Sequence, residues 1–265
     1  MSELPGLEQA TVDAILGHAA RATLPFQHAH RPGPYATAFW FNDLVGHDGD
    51  TDLVRQYLVT AAEATRMDLA EVTLRTQLGD PAPTADKLMM TDFSDGWIHL
   101  DGLGVAVQPA AGLHAYAERK GWRWTTDEIT DGIAARTGDI VRIGADPTPA
   151  FALGHDVGED GERHQAVAVG ALARAADGTV RWGGELPEGF VGAPVFLSLS
   201  QGGDSFKLVC AGVILPADDH GFGHHPVARF DHIRESVREA PDTTTPTSSA
   251  PAPAERPRRW WRRRG

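Results

Sequence analysis

Twelve histidines are the side chains of this sequence that could most readily bind a metal ion. The densest group is His220, His224 and His225, beside Asp218 and Asp219 in the segment ADDHGFGHHP. The i, i+4 spacing of the first two suits a metal pair on a helix, but the glycines and the proline of this segment predict a loop. We therefore expect exposed loop histidines, with no metal site and no cofactor.

The single cysteine, Cys210, is the next candidate for chemistry, and one cysteine cannot form an internal disulfide. It lies in the apolar run LVCAGVIL, and apolar surroundings raise the pKa of a thiol. The pattern predicts a buried strand residue and not a reactive thiol. The N-terminus has no basic region followed by an apolar stretch, and no apolar run is long enough to span a bilayer. We expect a soluble, cytoplasmic protein.

The elements that would position these groups are mainly short strands. Apolar residues recur at helical spacing between Val12 and Ala19, which predicts an N-terminal helix, and a closing helix is predicted over 227–239. Segments with strand character lie at 36–41, 56–61, 71–78, 87–91, 105–108, 140–143, 165–172, 195–199 and 208–215. Because glycine, proline and aspartate turns separate them, the pattern favours an antiparallel all-β sandwich or a pair of barrels.

Three segments, in this order, resemble the trypsin-like serine peptidase family in its bacterial form. TAFWF (37–41) with YLVTAAE (57–63) resembles the strand and the LVTAAH segment that end in the catalytic histidine. WIHLDGLGVAVQP (97–109) resembles the segment that presents the aspartate, and GELPEGFVGAPVF (184–196) is similar to the G-x-S-G-x-P-V nucleophile turn. GDIVRIG (138–144) matches a strand that commonly precedes the later half of the family's second barrel.

The resemblance covers roughly residues 35–238. It implies two antiparallel β-barrels of the chymotrypsin/trypsin type over 35–240, after an N-terminal helical segment (1–34) and before a tail (241–265).

The catalytic positions depart from this family. Glu63 stands where the family has histidine, Gly104 where it has aspartate and Val191 where it has serine. The chemistry needs a nucleophilic hydroxyl, an imidazole to accept its proton and a carboxylate to orient the imidazole. The resemblance therefore implies a catalytically inactive homologue that acts as a protein- or peptide-binding module.

Two alternatives stay open at this point. One is a hydrolase with relocated catalytic residues. Asp101 lies three positions before Gly104, however, which is about 10 Å in an extended strand, and His99 lies further back. The serines from Ser198 to Ser205 lack the Gly-x-Ser-Gly setting. The other alternative is a structural domain whose interactions all lie in the tail.

Part of the family's site does not depend on side chains. Its oxyanion hole is made of backbone N–H groups, which the resemblance places at Gly189 and Val191. Either this turn persists because the fold needs it, or it forms a pocket that still accepts a peptide carbonyl or carboxylate.

The formal net charge of −12 combines two unlike parts. Residues 1–240 hold 34 acidic and 18 basic side chains, a charge of −16, whereas 241–265 carries +4. The body is therefore a poor candidate for nucleic-acid binding. The tail has a Pro/Ser/Thr/Ala linker, which predicts disorder. It ends in Arg258, Arg259, Trp260, Trp261, Arg262, Arg263 and Arg264. This end favours an anionic membrane, nucleic acid or an acidic protein face, or else it is solvated and partly neutralises its own body.

Overall fold

The computed structural model describes residues 4–31, 35–158, 162–202, 205–218, 224–239 and 247–248. Its helices are α1 (Leu4–Ala19), α2 (Ala111–Arg119), α3 (Thr137–Ile140) and α4 (Phe230–Glu239). Turns of 3-10 helix lie at Ala62–Thr65, Thr76–Leu78 and Phe93–Gly96. None of the helices in the described part of the chain has the length and apolar character to cross a membrane.

The first sheet is antiparallel and is built from the N-terminal half of the chain. Its strands are β1 (Thr23–His28), β2 (Ala36–Asp48), β3 (Thr51–Ala61), β4 (Leu69–Thr73), β6 (Lys87–Thr91), β7 (Ile98–Leu100) and β8 (Val105–Pro109). They follow the order β6-β4-β1-β2-β3-β8-β7, and β16 (Thr247–Ser248) pairs with β3. A separate pair joins β5 (Gly79–Asp80) to β9 (Arg123–Trp124).

The second sheet is a closed six-stranded barrel in the order β10-β11-β12-β15-β14-β13. Its strands are β10 (Thr148–Val157), β11 (Arg163–Arg174), β12 (Val180–Gly183), β13 (Pro194–Gly202), β14 (Ser205–Ile214) and β15 (His224–Arg229). All its pairings are antiparallel.

One strand of the first sheet contributes to two apolar cores, because successive side chains of a strand face opposite sides. On β2, Ala38 and Trp40 belong to the core of the first sheet. Phe39 and Phe41 belong instead to a core shared with the barrel, where both contact Phe230 of α4 with ring centroids 6.1 and 5.0 Å apart. This shared core holds the two sheets together and fixes the segments that meet between them.

The prediction of an all-β architecture with an N-terminal and a C-terminal helix is confirmed. The strand predicted at 87–91 has the bounds of β6. Strand β1 belongs to the first sheet although it lies within 1–34, for which the sequence predicted only helix. The closing helix begins at Phe230 and not at residue 227, which lies in β15.

The strand predicted at 140–143 is wrong. Helix α3 ends at Ile140, and residues 141–142 form a turn. An Asp139 carboxylate oxygen accepts a hydrogen bond from the Arg136 backbone N–H at 3.1 Å and caps the start of α3. Ile140 is buried, and the next residue, Val141, is exposed. The strand predicted at 71–78 is shorter than expected, since β4 ends at Thr73.

Candidate functional site

The structure brings the three segments that carry Glu63, Gly104 and Val191 to one place between the sheets. The Ala62 N–H, next to Glu63, donates to the Gly104 carbonyl at 2.8 Å. The Gly192 N–H, next to Val191, donates to the Ile214 carbonyl, also at 2.8 Å. The 3-10 turn after β3 is therefore joined to the residue before β8, and the turn before β13 is joined to the end of β14. The turn before β13 also lies against β3, because a Cβ added to Gly192 would lie 3.1 Å from the Ala61 nitrogen.

The space next to Gly104 is occupied by a hydrocarbon side chain. Gly104 has φ +69°, and a Cβ placed on it would lie 3.1 Å from Cδ1 of Leu215. A carboxylate at this position would thus have to displace Leu215 and adopt a backbone conformation that side-chain-bearing residues rarely take. The glycine and the leucine complement each other, and together they exclude an acidic group.

The turn at 189–192 is fixed by two glycines that no other residue could replace without movement. Gly189 has φ +101°, and an added Cβ would overlap the His155 carbonyl oxygen. Gly192 has φ +86°, and an added Cβ would overlap the Thr37 carbonyl oxygen and the Thr60 hydroxyl. The glycines of the family-like motif are thus required by close backbone approach.

Hydrogen bonds from the first sheet hold the same turn. The Thr37 hydroxyl donates to the Gly189 carbonyl and the Thr37 N–H donates to the Val191 carbonyl, each at 2.8 Å. The Thr60 hydroxyl donates to the Thr37 carbonyl at 2.8 Å. Sequence reasoning did not single out these threonines, although both lie in the segments 37–41 and 57–63 that resemble the family.

An apolar anchor completes the turn. The ring of Phe190 is 1% exposed and packs on β10, where a Cβ added to Gly154 would lie 2.7 Å from Cδ1 of that ring. Phe190 stands between Gly189 and Val191, so its buried ring anchors the residue that links them. No feature of the local sequence predicted this contact.

Two backbone donors of the turn are without an acceptor. Within the described part of the chain, neither the Gly189 N–H nor the Val191 N–H donates a hydrogen bond, although Gly189 is buried. Buried N–H groups in proteins are nearly always paired, with water or a ligand if not with the protein. Both N–H groups are therefore available to donate to an acceptor outside the described part of the chain.

Among the described residues, positions 63, 104 and 191 hold no hydroxyl or thiol that could act as a nucleophile. Glu63 is exposed, and Val191 is half-buried and has no heteroatom. Nε2 of His99 lies 2.9 Å from the Thr65 hydroxyl, which itself donates to the Ala62 carbonyl. Of the other relocated candidates, Asp101, Ser200 and Ser205 are exposed, and Ser198 lies on β13 opposite Leu208, within the barrel wall.

A buried polar network lies behind the turn. His155, whose carbonyl contacts Gly189, is 1% exposed, and its Nε2 lies 2.9 Å from the Thr23 hydroxyl. The Arg163 guanidinium lies 4.9 Å from the centre of the Tyr35 ring. Burial, with the positive charge of Arg75 as the next cause, lowers the pKa of His155 to about 3. The imidazole is therefore neutral throughout the physiological range.

This neutral histidine predicts acid sensitivity. The unfolded chain binds a proton at His155 below about pH 6.5, whereas the folded chain does not until about pH 3. As the pH falls below about 6.5, His155 therefore lowers the free energy of unfolding, by up to ~1.4 kcal/mol per pH unit; above pH 6.5 its titration has no effect on stability. We expect His155→Gln to reduce the pH dependence of the free energy of unfolding, measured by urea denaturation between pH 6.5 and 5.

The control for this experiment is His164→Gln, because the His164 side chain is 65% exposed. In this variant, the free energy of unfolding should depend on pH as steeply as in the unmodified protein. The same pH dependence in all three proteins would show that the pKa of His155 does not differ between the folded and unfolded states.

The remaining candidates have the following positions. Cys210 is buried on β14 as predicted, and burial raises the pKa of its thiol. His224 and His225 lie in strand β15, paired with β12, so the predicted loop is wrong there. Nδ1 of His225 hydrogen-bonds the Leu215 carbonyl at 2.9 Å, while His220 lies outside the described residues. The described residues hold no cluster of three or more His, Cys, Asp or Glu placed to bind a metal. The predicted contact residues Arg258–Arg264 also lie outside the described part of the chain.

No protein-family model and no curated protein sequence matches the chain. Among solved structures, it is similar to a serine endoprotease from Yersinia pestis (8% identity, 86% of this chain and 65% of the other, TM-score 0.49). It is also similar to the HtrA-type protease AlgW with a tripeptide (13%, 86% and 62%, TM-score 0.49). A third is the Rv3671c protease in its inactive form (10%, 87% and 94%, TM-score 0.47).

The chain thus spans less than two thirds of the length of the first two structures. The three structures are those of proteases, and at these identities and TM-scores the likeness assigns neither a family nor an activity to this chain.

Proposed function

We propose that this protein is a catalytically inactive homologue of the trypsin-like serine peptidases and that it binds a peptide segment of a protein partner at the 189–192 turn. The observation that carries the proposal is the pair of amide donors at Gly189 and Val191, which have no acceptor in the described part of the chain. They belong to a turn that two glycines, two threonine hydrogen bonds and one buried ring hold in place.

The same site supports binding without hydrolysis. Val191 has no atom that could attack a carbonyl, and a side chain at position 104 would press on Leu215 and require a positive φ. The hydroxyls nearest the turn, those of Thr37 and Thr60, are already donors to backbone carbonyls. A peptide carbonyl held by the two amides would be polarised, but no group is placed to attack it.

Charge around the turn favours a basic peptide. Glu63, Asp101, Glu185 and Glu188 are all exposed and belong to the segments that form the site. Residues 1–240 as a whole carry −16. An exposed ion pair contributes up to about 1 kcal/mol, which is about fivefold in affinity. We therefore infer a preference for a neutral backbone carbonyl next to lysine or arginine side chains over a free carboxylate.

A titration with two matched peptides tests this function. The amide resonances of Gly189 and Val191 are followed by NMR while a capped tetrapeptide, Ala-Ala-Lys-Ala or Ala-Ala-Glu-Ala, is added. We expect both resonances to move, with about fivefold tighter binding of the lysine peptide. In the variant Glu185→Gln/Glu188→Gln this difference should shrink while binding itself persists. If neither resonance moves at millimolar concentrations of either peptide, the turn is only a structural element.

A further inference from the structure

The β2–β3 hairpin extends past its neighbour and leaves a strand edge for another segment. Strand β8 pairs with β3 only from Tyr57 to Ala61, and the Ala110 N–H makes the next bond, to the Gln56 carbonyl. Strand β3 begins at Thr51, so β8 does not cover the stretch from Thr51 to Val54. An exposed strand edge of this kind offers backbone donors and acceptors that readily pair with a further strand.

The C-terminal segment of the same chain lies on this edge. Thr247 of β16 is opposite Val54, and Ser248 is opposite Leu53, in antiparallel register. Because the register is antiparallel, a strand that continued this pairing would run toward Thr51 and the turn of the hairpin.

The turn of the hairpin and the tail carry opposite charges. Asp48, Asp50 and Asp52 are exposed at the turn, and Asp52 forms an ion pair with His47 at 2.8 Å. Residues 249–265 contain six arginines and a single acidic residue, Glu255. Val45, 37% exposed, is an apolar side chain on the same hairpin.

The length of the tail permits the contact. If the antiparallel register continues, residue 250 comes opposite Thr51. The first arginine, Arg256, follows six positions later and can lie up to ~20 Å from residue 250. The arginines can thus reach all sides of the hairpin turn.

We propose that the edge of β3 from Thr51 to Val54, together with the acidic turn Asp48–Asp52, is the docking site of this chain's own C-terminal segment, residues 247–265. The strand pairing supplies the position and the charges supply the attraction, so raised salt weakens the contact of the arginines. An anionic partner that binds the tail would have to compete with this hairpin. The proposal is independent of peptide binding at the 189–192 turn.

Paramagnetic broadening in the full-length protein tests the docking. A nitroxide is attached to the variant Gly265→Cys, and the native Cys210 does not interfere because it is buried. At low ionic strength we expect the amides of residues 47–53 to lose more than half of their intensity. The loss should be reversed in Asp48→Asn/Asp50→Asn, and it should persist in Asp146→Asn/Asp156→Asn, which removes two exposed carboxylates from the barrel half of the chain.

Three outcomes would overturn the proposal. The first is undiminished hairpin intensity, and the second is broadening that is equal over the whole acidic surface or unchanged by Asp48→Asn/Asp50→Asn. The third is broadening of the same size in isotope-enriched protein without a nitroxide when spin-labelled protein is added, because the tail would then dock on a second copy.

Discussion

Replacing Gly192 with alanine is expected to lower the free energy of unfolding by about 3 kcal/mol or more. The added methyl group would overlap the Thr37 carbonyl oxygen and the Thr60 hydroxyl and would lie 3.1 Å from the Ala61 nitrogen. Two of these three atoms belong to the backbone of paired strands, so they cannot move aside without breaking the first sheet. The clash comes in addition to the cost of a positive φ, which is about 1 kcal/mol.

Gly102→Ala is the matched control for this variant. Gly102 has φ +71°, close to the +86° of Gly192, but an added Cβ would meet nothing within 4 Å. In Gly102→Ala the free energy of unfolding should therefore fall only by the cost of the positive φ, about 1 kcal/mol. Both values are measured by guanidinium denaturation at neutral pH. If the two variants lost the same free energy, the contact between the turn and the first sheet would not be as close as described.

Removing the ring of Phe190 is expected to cost about 3–5 kcal/mol and to abolish the response of the turn to peptide. The ring is buried against Gly154, and its residue joins the two amides that we assign to carbonyl binding. Without it, the turn loses its apolar anchor while the threonine hydrogen bonds alone remain. Phe190→Leu keeps much of the buried volume and should cost less, about 1.5 kcal/mol, with weakened but measurable binding.

Phe26→Ala separates the loss of stability from the loss of function. Phe26 is also 1% exposed, but it packs in the core of the first sheet with its ring centroid 5.4 Å from that of Phe93. This variant should be destabilised to a similar degree and, at a temperature where it is folded, should still bind peptide through Gly189 and Val191. Equal binding by the two alanine variants would show that Phe190 does not position the amides.

Strands whose residues have high β propensity could be predicted from the sequence. Strands that depend on pairing with distant segments could not. Strand β6 (KLMMT) was predicted with its bounds. Strand β1 (TLPFQH) was missed because proline cannot donate a ladder hydrogen bond. Pro25 is tolerated because β1 pairs with β4 only from Phe26 onward. Strand β10 was missed because Ala150, Ala152 and Gly154 give it little β propensity, although most of it is buried.

The candidate site likewise has features that one segment of the sequence predicts and contacts that only the folded chain reveals. The resemblance of G-x-V-G to the family's nucleophile turn predicted a turn at 189–192 and implied the amides of Gly189 and Val191, because the glycines of such a turn are visible in the sequence. Leu215 beside Gly104 and Phe190 on Gly154 are contacts between residues far apart in the chain. Only the paired sheets bring these residues together, so no single segment could reveal them. The assignment of Glu63, Gly104 and Val191 to former catalytic positions stays a prediction.

The most direct measurement for the proposed function is the fate of the peptide that binds. A lysine-containing tetrapeptide is incubated with the protein at a concentration that saturates the shifts of Gly189 and Val191, and its mass is followed over a day at neutral pH. We expect the peptide to disappear no faster with the protein than in buffer alone, while the resonances of both amides stay shifted. Cleavage that exceeds the buffer rate and disappears in Glu63→Ala would contradict the account, because the site would then be a working hydrolase.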